Sequence, residues 1–412
     1  MNNNITSNSF FLLNFIDKNV DIEYKYTNNK INIFLIKIFN YLEEASYYLL
    51  NNKEIKNNIQ VLKYENNIIF GDDFLMHIPN NIKKHIADKS KSIINYKDKN
   101  FLDMDININF ILEEEEEKSN FDFFNIYKIL YWLYIVIKYI TPKKCKTLTI
   151  YIFMTPLKKT LPSLKNITLD REHINTAYTY PCNNKNGKIV IFRKEEWFKC
   201  FIHETIHIFN MDLLNNKYDF NEKIKSLFKV TTEEEFYESY TEFWAEIMNI
   251  IFLSYKVLMS YKMLNKKEYF IDIFNYLINN ERKFNIIQVV KILRFMGLKY
   301  EDLYLEENKI KYNEKTNIFS YFILKLILLY NYDDFLMLCI KNNKDILVFD
   351  NTIKNINNFF DFIKKNYKNK QMLLEIKKIE KIFNNDNLLN KNIKNNMNNF
   401  YFKNNLRMTL FD

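Results

Sequence analysis

At 412 residues the chain can fill two or three domains, and 48% hydrophobic with 17% aromatic residues gives it the apolar material for sizeable cores. That composition excludes a disordered chain, and only 3 Gly and 5 Pro exclude turn-dense architectures in favour of helix. The formal charge of +9 is spread over scattered lysines with no dense basic cluster, so it serves solubility and no specific nucleic-acid partner is expected.

In chain order, the apolar run Phe10 to Ile16 lacks a basic flank and a small-residue cleavage site, so it is not read as a signal peptide. Ile31 to Leu50 has helical periodicity, and Ile59 to Phe70 reads as two short strands around Glu65-Asn66-Asn67. Asp105 to Leu112 alternates as a strand, and the acidic run Glu113 to Glu117 reads as a solvated loop. An apolar helix over Phe121 to Ile140 stops at Thr141-Pro142. Its most apolar part, Ile129 to Ile137, is too short to span a bilayer, so no transmembrane segment is expected.

From Leu148 the pattern becomes β-rich. Thr149 to Met154 is a strand, and Ile174 to Tyr180 with Lys188 to Phe192 forms a hairpin closed by Asn183 to Gly187. The second hairpin strand leads into the next helix and is expected to border a cleft, as a sheet edge whose unpaired backbone would accept an extended peptide; a strand paired on both sides is the equal alternative. A helix follows from near Lys194, with Glu195 and Glu196 in its first turn and Trp197, Phe198, Phe201, Ile202, Thr205, Ile206 and Phe209 as its buried stripe. Glu281 to Phe295, Ile318 to Tyr330 and Phe335 to Ile340 are helical, and Asn384 to Asn399 is a loose connector. Together these elements predict an α+β fold in three consecutive regions: mixed over 1–140, a core over 141–255 and mainly helical over 256–412. Cys145, Cys182, Cys200 and Cys339 lie far apart without a C-x-x-C pair, so neither a disulfide framework nor a zinc ribbon is expected and a reducing, cytoplasmic location fits best.

The stretch richest in chemistry is His203-Glu204-Thr205-Ile206-His207. With so few histidines, chance would supply such a pattern roughly 0.007 times in a chain of this composition. Residues four apart share a helix face, so His203 and His207 can grip one Zn²⁺ while Glu204 points at the open coordination position. The bland reading of the same residues is a buried amphipathic helix with two hydrogen-bonded histidines.

A catalytic zinc needs a third protein ligand. Thr232 and Glu235 form a capping box, and beyond it Glu238, Glu242 and Glu246 repeat at four-residue intervals with no Lys, Arg or His from Val230 to Tyr255. Like charges at that spacing destabilise a helix unless a cation answers them. Phe243, Trp244 and Ile247 put Glu242 at the border of an apolar surface, which favours it as ligand. A solvated acidic face is the plainer alternative, Glu238 competes through a different helix register, and Cys200 is a rival donor one turn before His203. Tyr237, Tyr240 and Tyr321 can donate to an oxyanion but carry no signal beyond ordinary packing.

An HExxH helix followed by E-x-x-A-E, here Glu242-Phe243-Trp244-Ala245-Glu246, resembles the gluzincin metallopeptidases. That resemblance implies a zincin-like core in which Glu242 binds zinc beside His203 and His207 and Glu246 supports the site by orienting an imidazole N–H. Leu157 to Pro162, His173 to Thr176, Phe192 to Lys199 and Asn405 to Thr409 resemble segments of the zinc metallopeptidases encoded by large DNA viruses, and the Asn-, Lys- and Ile-rich composition agrees with an AT-rich genome. The resemblance covers the chain from about Leu157 onward. It implies one Zn²⁺ per chain, a peptide or protein substrate, Glu204 as general base, and a setting in host cytoplasm or virion. The competing reading is a non-catalytic viral structural or binding protein in which zinc only stabilises the fold. No Gly or third His follows His207 in the metzincin manner.

Overall fold

The computed structural model describes residues 5–22, 29–52, 54–64, 76–113, 121–140, 145–164, 167–182, 186–213, 217–230, 235–261, 265–305, 312–384 and 396–412. They form a mixed α+β structure in two compact units. One unit comprises 37–158 and 175–211, and the other 1–36, 159–174 and 212–412. Each is assembled from segments distant in sequence, where three consecutive regions were expected.

The sheet unit carries six strands: β1 (Ile59–Lys63), β2 (Ser92–Phe101), β3 (Met104–Leu112), β4 (Thr147–Phe153), β5 (Ala177–Tyr180) and β6 (Asn186–Ile191). They lie in the order β1-β2-β3-β4-β6-β5. The β3–β4 and β4–β6 pairs are parallel and the rest antiparallel. The β2–β3 hairpin turns on Leu102 (φ 50°) and Asp103 (φ 66°), two left-handed residues of the kind a tight hairpin needs, supplied here without glycine. Between β3 and β4 runs the apolar helix Phe124–Ile135, which continues as a π-helical turn over Val136–Ile140. The helix Trp197–Ile208 follows β6 and packs on β5 and β6, with Trp197 meeting Phe110 of β3 edge-on at 5.4 Å between ring centroids.

Two expectations are corrected here. Strand β6 is paired on both sides, with β4 and with β5, so it offers no free edge to a peptide; the outer strand is β5. Parallel pairing to β4 is a long-range contact that hairpin spacing does not reveal. Secondly, Cys145 and Cys182 form a disulfide, with Cα atoms 5.6 Å apart. The same parallel pairing explains it: Thr147 of β4 stands opposite Asn186 of β6, which brings the residues leading into the two strands together. The bridge packs tightly enough that a Cβ at Gly187 would sit 2.8 Å from Cys182 Sγ and 2.7 Å from Ile208 Cδ1 at the end of the following helix.

The helical unit is built on two long helices, Glu238–Met259 and Lys266–Phe295, packed against each other. Around them stand Ser7–Asn19, Lys217–Leu227, a π-helical turn Phe319–Leu324 running into Lys325–Tyr330, Tyr332–Asn342, Ile353–Asn366, Lys370–Asn384 and Asn396–Asn404. The residues that follow, 405–411, are buried although they form neither a helix nor a named strand. Side chains of the long helices satisfy their backbone: Gln288 Nε2 donates to Arg407 O, Lys291 Nζ to Asn405 O, Asn249 Nδ2 to Phe411 O, and Leu410 N–H donates to Glu281 at 2.7 Å. Without such partners each buried backbone group would cost about 1–3 kcal/mol. Among the described residues, no helix is long and apolar enough to cross a membrane. The expected second strand of Ile59 to Phe70, most of the acidic run after Glu113, the Thr141-Pro142 stop and most of the Asn-rich connector lie outside the described residues.

Alkylation of the denatured protein followed by mass measurement tests the cysteine pairing. Two adducts, on Cys200 and Cys339, are expected before reduction and four after it. Four adducts without reductant would refute the bridge.

Candidate metal centre

The helix that carries His203, Glu204 and His207 is fixed at both ends within the sheet unit. Ahead of it, Arg193 is 2% exposed and donates to Asn175 O at 3.0 Å and to Leu157 O and Lys158 O at 3.1 Å each. Burial pulls its guanidinium down to about 10, against the opposing pull of Glu195, so it stays a cation at neutral pH. Thr155 Oγ1 donates to Phe192 O at 2.7 Å, and Lys194 N–H to Thr155 O at 2.9 Å. The helix begins at Trp197, later than the expected start near Lys194, because Glu196 is left-handed (φ 63°) and cannot extend a right-handed helix. Glu195 and Glu196 thus lie before the first turn, both buried.

The other end closes as a Schellman motif. Asn210 is left-handed (φ 53°), its N–H donates to His207 O at 3.0 Å, and Met211 N–H donates to Ile206 O at 2.9 Å. Asparagine takes the place that glycine usually fills, since its short side chain tolerates this conformation. Helix phase is therefore set independently on either side of the two histidines.

Every residue from Trp197 to Ile208 is buried except His207, which is half-buried. The seven expected stripe residues are all in the core, but so is Lys199, so the helix is enclosed on more than one face. His203 Nε2 and His207 Nε2 stand 3.1 Å apart, with the rings inclined at 71°. One N–H···N hydrogen bond gives that separation. So does a shared cation: tetrahedral zinc with Zn–N bonds of about 2.0–2.1 Å holds two nitrogens roughly 3.3 Å apart. The residues present therefore fit a zinc ion. Glu204 is 8% exposed, and Cys200, on the same helix, is a buried thiol outside the disulfide.

Glu238, Glu242 and Glu246 belong to the helical unit. Glu238 is the first residue of Glu238–Met259, later than the expected start at Thr232, which lies outside the described residues. Glu242 and Glu246 share one cation: Lys325 Nζ lies 3.2 Å from Glu242 Oε1 and 3.4 Å from Glu246 Oε2, all three side chains being at most 1% exposed. The same ammonium donates to Met408 O. Zinc and its ligand imidazoles were the cation expected to answer the glutamate repeat; for Glu242 and Glu246 it is Lys325 that does so. No signal in the sequence singled it out, since it arrives from a helix far downstream. A fourth carboxyl, Glu281, is pushed well above the usual carboxylate range by burial and then by the charge of Glu246. Of the tyrosines, Tyr240 is fully buried with its hydroxyl directed to Leu347 O, and Tyr237 Oη receives Lys217 Nζ at 2.8 Å. Neither description points to an oxyanion donor.

No protein-family model, curated protein or solved structure matches the chain.

Lys325→Met strands two buried carboxylates, a class of change that costs about 3–5 kcal/mol. Urea unfolding should show a loss of that size, and adding Glu242→Gln and Glu246→Gln should recover part of it. An unchanged midpoint for the single variant would mean that the ion pair does not hold the helical unit.

Proposed function

We propose that the chain is a zinc-dependent peptidase with a zincin-like core, in which His203 and His207 supply two ligands and Glu204 is the general base. The observation that carries this reading is the 3.1 Å approach of two imidazole nitrogens on a buried helix, with an acidic residue directly after the first. For the third ligand we propose Glu238, the member of the glutamate repeat that stands outside the Lys325 ion pair. This is one turn before Glu242, whose carboxylate serves Lys325 together with that of Glu246. Glu242 and Glu246 then support the site indirectly, by holding the helix that presents Glu238.

Bound zinc would supply a Lewis acid that makes water a better nucleophile and polarises the scissile carbonyl. The Glu204 carboxylate would take the proton from the attacking water and hand it to the departing amine nitrogen, so that the C–N bond breaks without an amide anion. Low exposure suits that role, because a base shielded from bulk water keeps its proton for the leaving group.

Purified protein is expected to hold about one zinc per chain, and His203→Ala or His207→Ala to lose it. Glu238→Ala should lose zinc yet match the urea midpoint of wild type when both are measured with a chelator present, whereas Glu242→Ala should lower the midpoint under the same conditions. Zinc retained in both histidine variants would end the metal reading. On a degenerate peptide pool, Glu204→Gln should keep zinc and the fold but cut at a rate lower by on the order of 10²–10⁴. Equal cutting by wild type and Glu204→Gln would leave zinc, if present, a structural role only.

A further inference from the structure

Apart from the histidines, the helical unit contains a cavity of about 430 Å³ whose lining has an unusual charge balance. Lys291, Arg294 and Lys403 face it, and its described lining includes no Asp or Glu. Phe295, Phe383 and Phe400 supply apolar walls, and the turn Leu161-Pro162-Ser163 closes one side. Arg294 is exposed and Lys403 half-buried, so these two alone would be ordinary surface cations.

Lys291 is different. It is 3% exposed, and its ammonium donates to Gln288 Oε1 and to Asn405 O, both neutral acceptors. Burial holds it well below the usual lysine range, and no carboxylate among the described residues acts to raise it. An ammonium kept out of water needs an opposite charge, and without one it tends to shed its proton. Two hydrogen bonds leave it a third N–H to donate. The wall beside it already gathers two more cations. Lys325, which is as deeply buried in this unit, is met by two carboxylates; Lys291 has no such partner among the described residues, and its counter-charge is left to whatever enters the cavity.

Volume and walls narrow the chemistry of that occupant. Inorganic phosphate would fill only a small part of the space, which falls in the range of small-molecule sites, roughly 300–1,000 Å³. Phenylalanine faces favour a flat ring, by stacking or edge contact. We propose that this cavity binds a small organic phosphate with an aromatic body, of nucleoside monophosphate class, with the phosphate at Lys291, Arg294 and Lys403 and the ring among Phe295, Phe383 and Phe400. The neighbouring recess of about 250 Å³, which shares Arg294 and Phe383, is lined by Asp302 and Glu380 against Arg294 and Lys299, so its charges balance and it lacks the cationic excess of the larger cavity. This site is independent of the zinc reading.

Calorimetric titration of the full chain with AMP, adenosine and inorganic phosphate tests it. AMP is expected to bind at least about tenfold more tightly than either part, a difference that one charge-assisted contact can supply. Lys291→Met removes the charge and should weaken AMP binding at least about tenfold; it also removes the donor to Asn405 O, so its unfolding midpoint should fall. Should that variant fail to fold, Lys403→Ser and Arg294→Ser, which change residues with access to solvent, should each weaken AMP and leave adenosine unaffected. Phosphate binding as tightly as AMP, adenosine binding as tightly as AMP, or no binding of AMP at millimolar concentration would each overturn the proposal.

Discussion

The helical unit depends on one buried ammonium. Lys325 stands between Glu242 and Glu246 and donates in addition to a backbone carbonyl of Met408, so a single charge joins two helices to the irregular segment 405–412. The alternative to this arrangement is severe: two carboxylates a turn apart on one helix face, without water and without a cation. Ion pairs this deep contribute little net stability compared with apolar packing, but they tolerate very few geometries. Their effect is to fix which face of Glu238–Met259 turns inward. Glu238, one turn earlier on that helix, is oriented as a consequence.

Segment 405–412 has a similar logic. A buried chain without regular secondary structure must find partners for each backbone group, and Gln288, Lys291, Asn249, Glu281 and Lys325 provide them one at a time. Arg407 returns the favour towards the first helix, donating to Ser9 Oγ at 3.1 Å. The polar side chains within Lys266–Phe295, which look wasteful in a core helix, are thereby accounted for.

Much of the local structure was legible in the sequence. Asp105 to Leu112, Thr149 to Met154 and the hairpin around Gly187 are strands close to where alternation put them, and Ile31 to Leu50 lies within the helix Asn29–Asn51. The HExxH helix was legible in existence but not in its start, because a left-handed Glu196 leaves no mark in the periodicity. Strand β2, Ser92–Phe101, was missed since its apolar residues cluster at Ile93, Ile94 and Tyr96 and then give way to charges. What sequence reading could not supply were the pairings between distant segments. The Cys145–Cys182 bridge, the interior position of β6 and the Lys325 ion pair each follow from strand order or helix packing, and none has a local signature. At the candidate site the two histidines and Glu204 were legible because four-residue spacing is itself geometry, whereas choosing among Glu238, Glu242 and Glu246 required knowing where Lys325 goes.

The central claim is that His203, His207 and a carboxylate share one zinc ion. X-ray absorption at the zinc edge of the purified protein reads the coordination shell directly. The account predicts two imidazole nitrogens and one or two oxygens at about 2.0–2.2 Å, with no sulfur. A sulfur shell at about 2.3 Å would bring in Cys200 and contradict the ligand set, and a protein that retains no zinc would contradict the claim altogether.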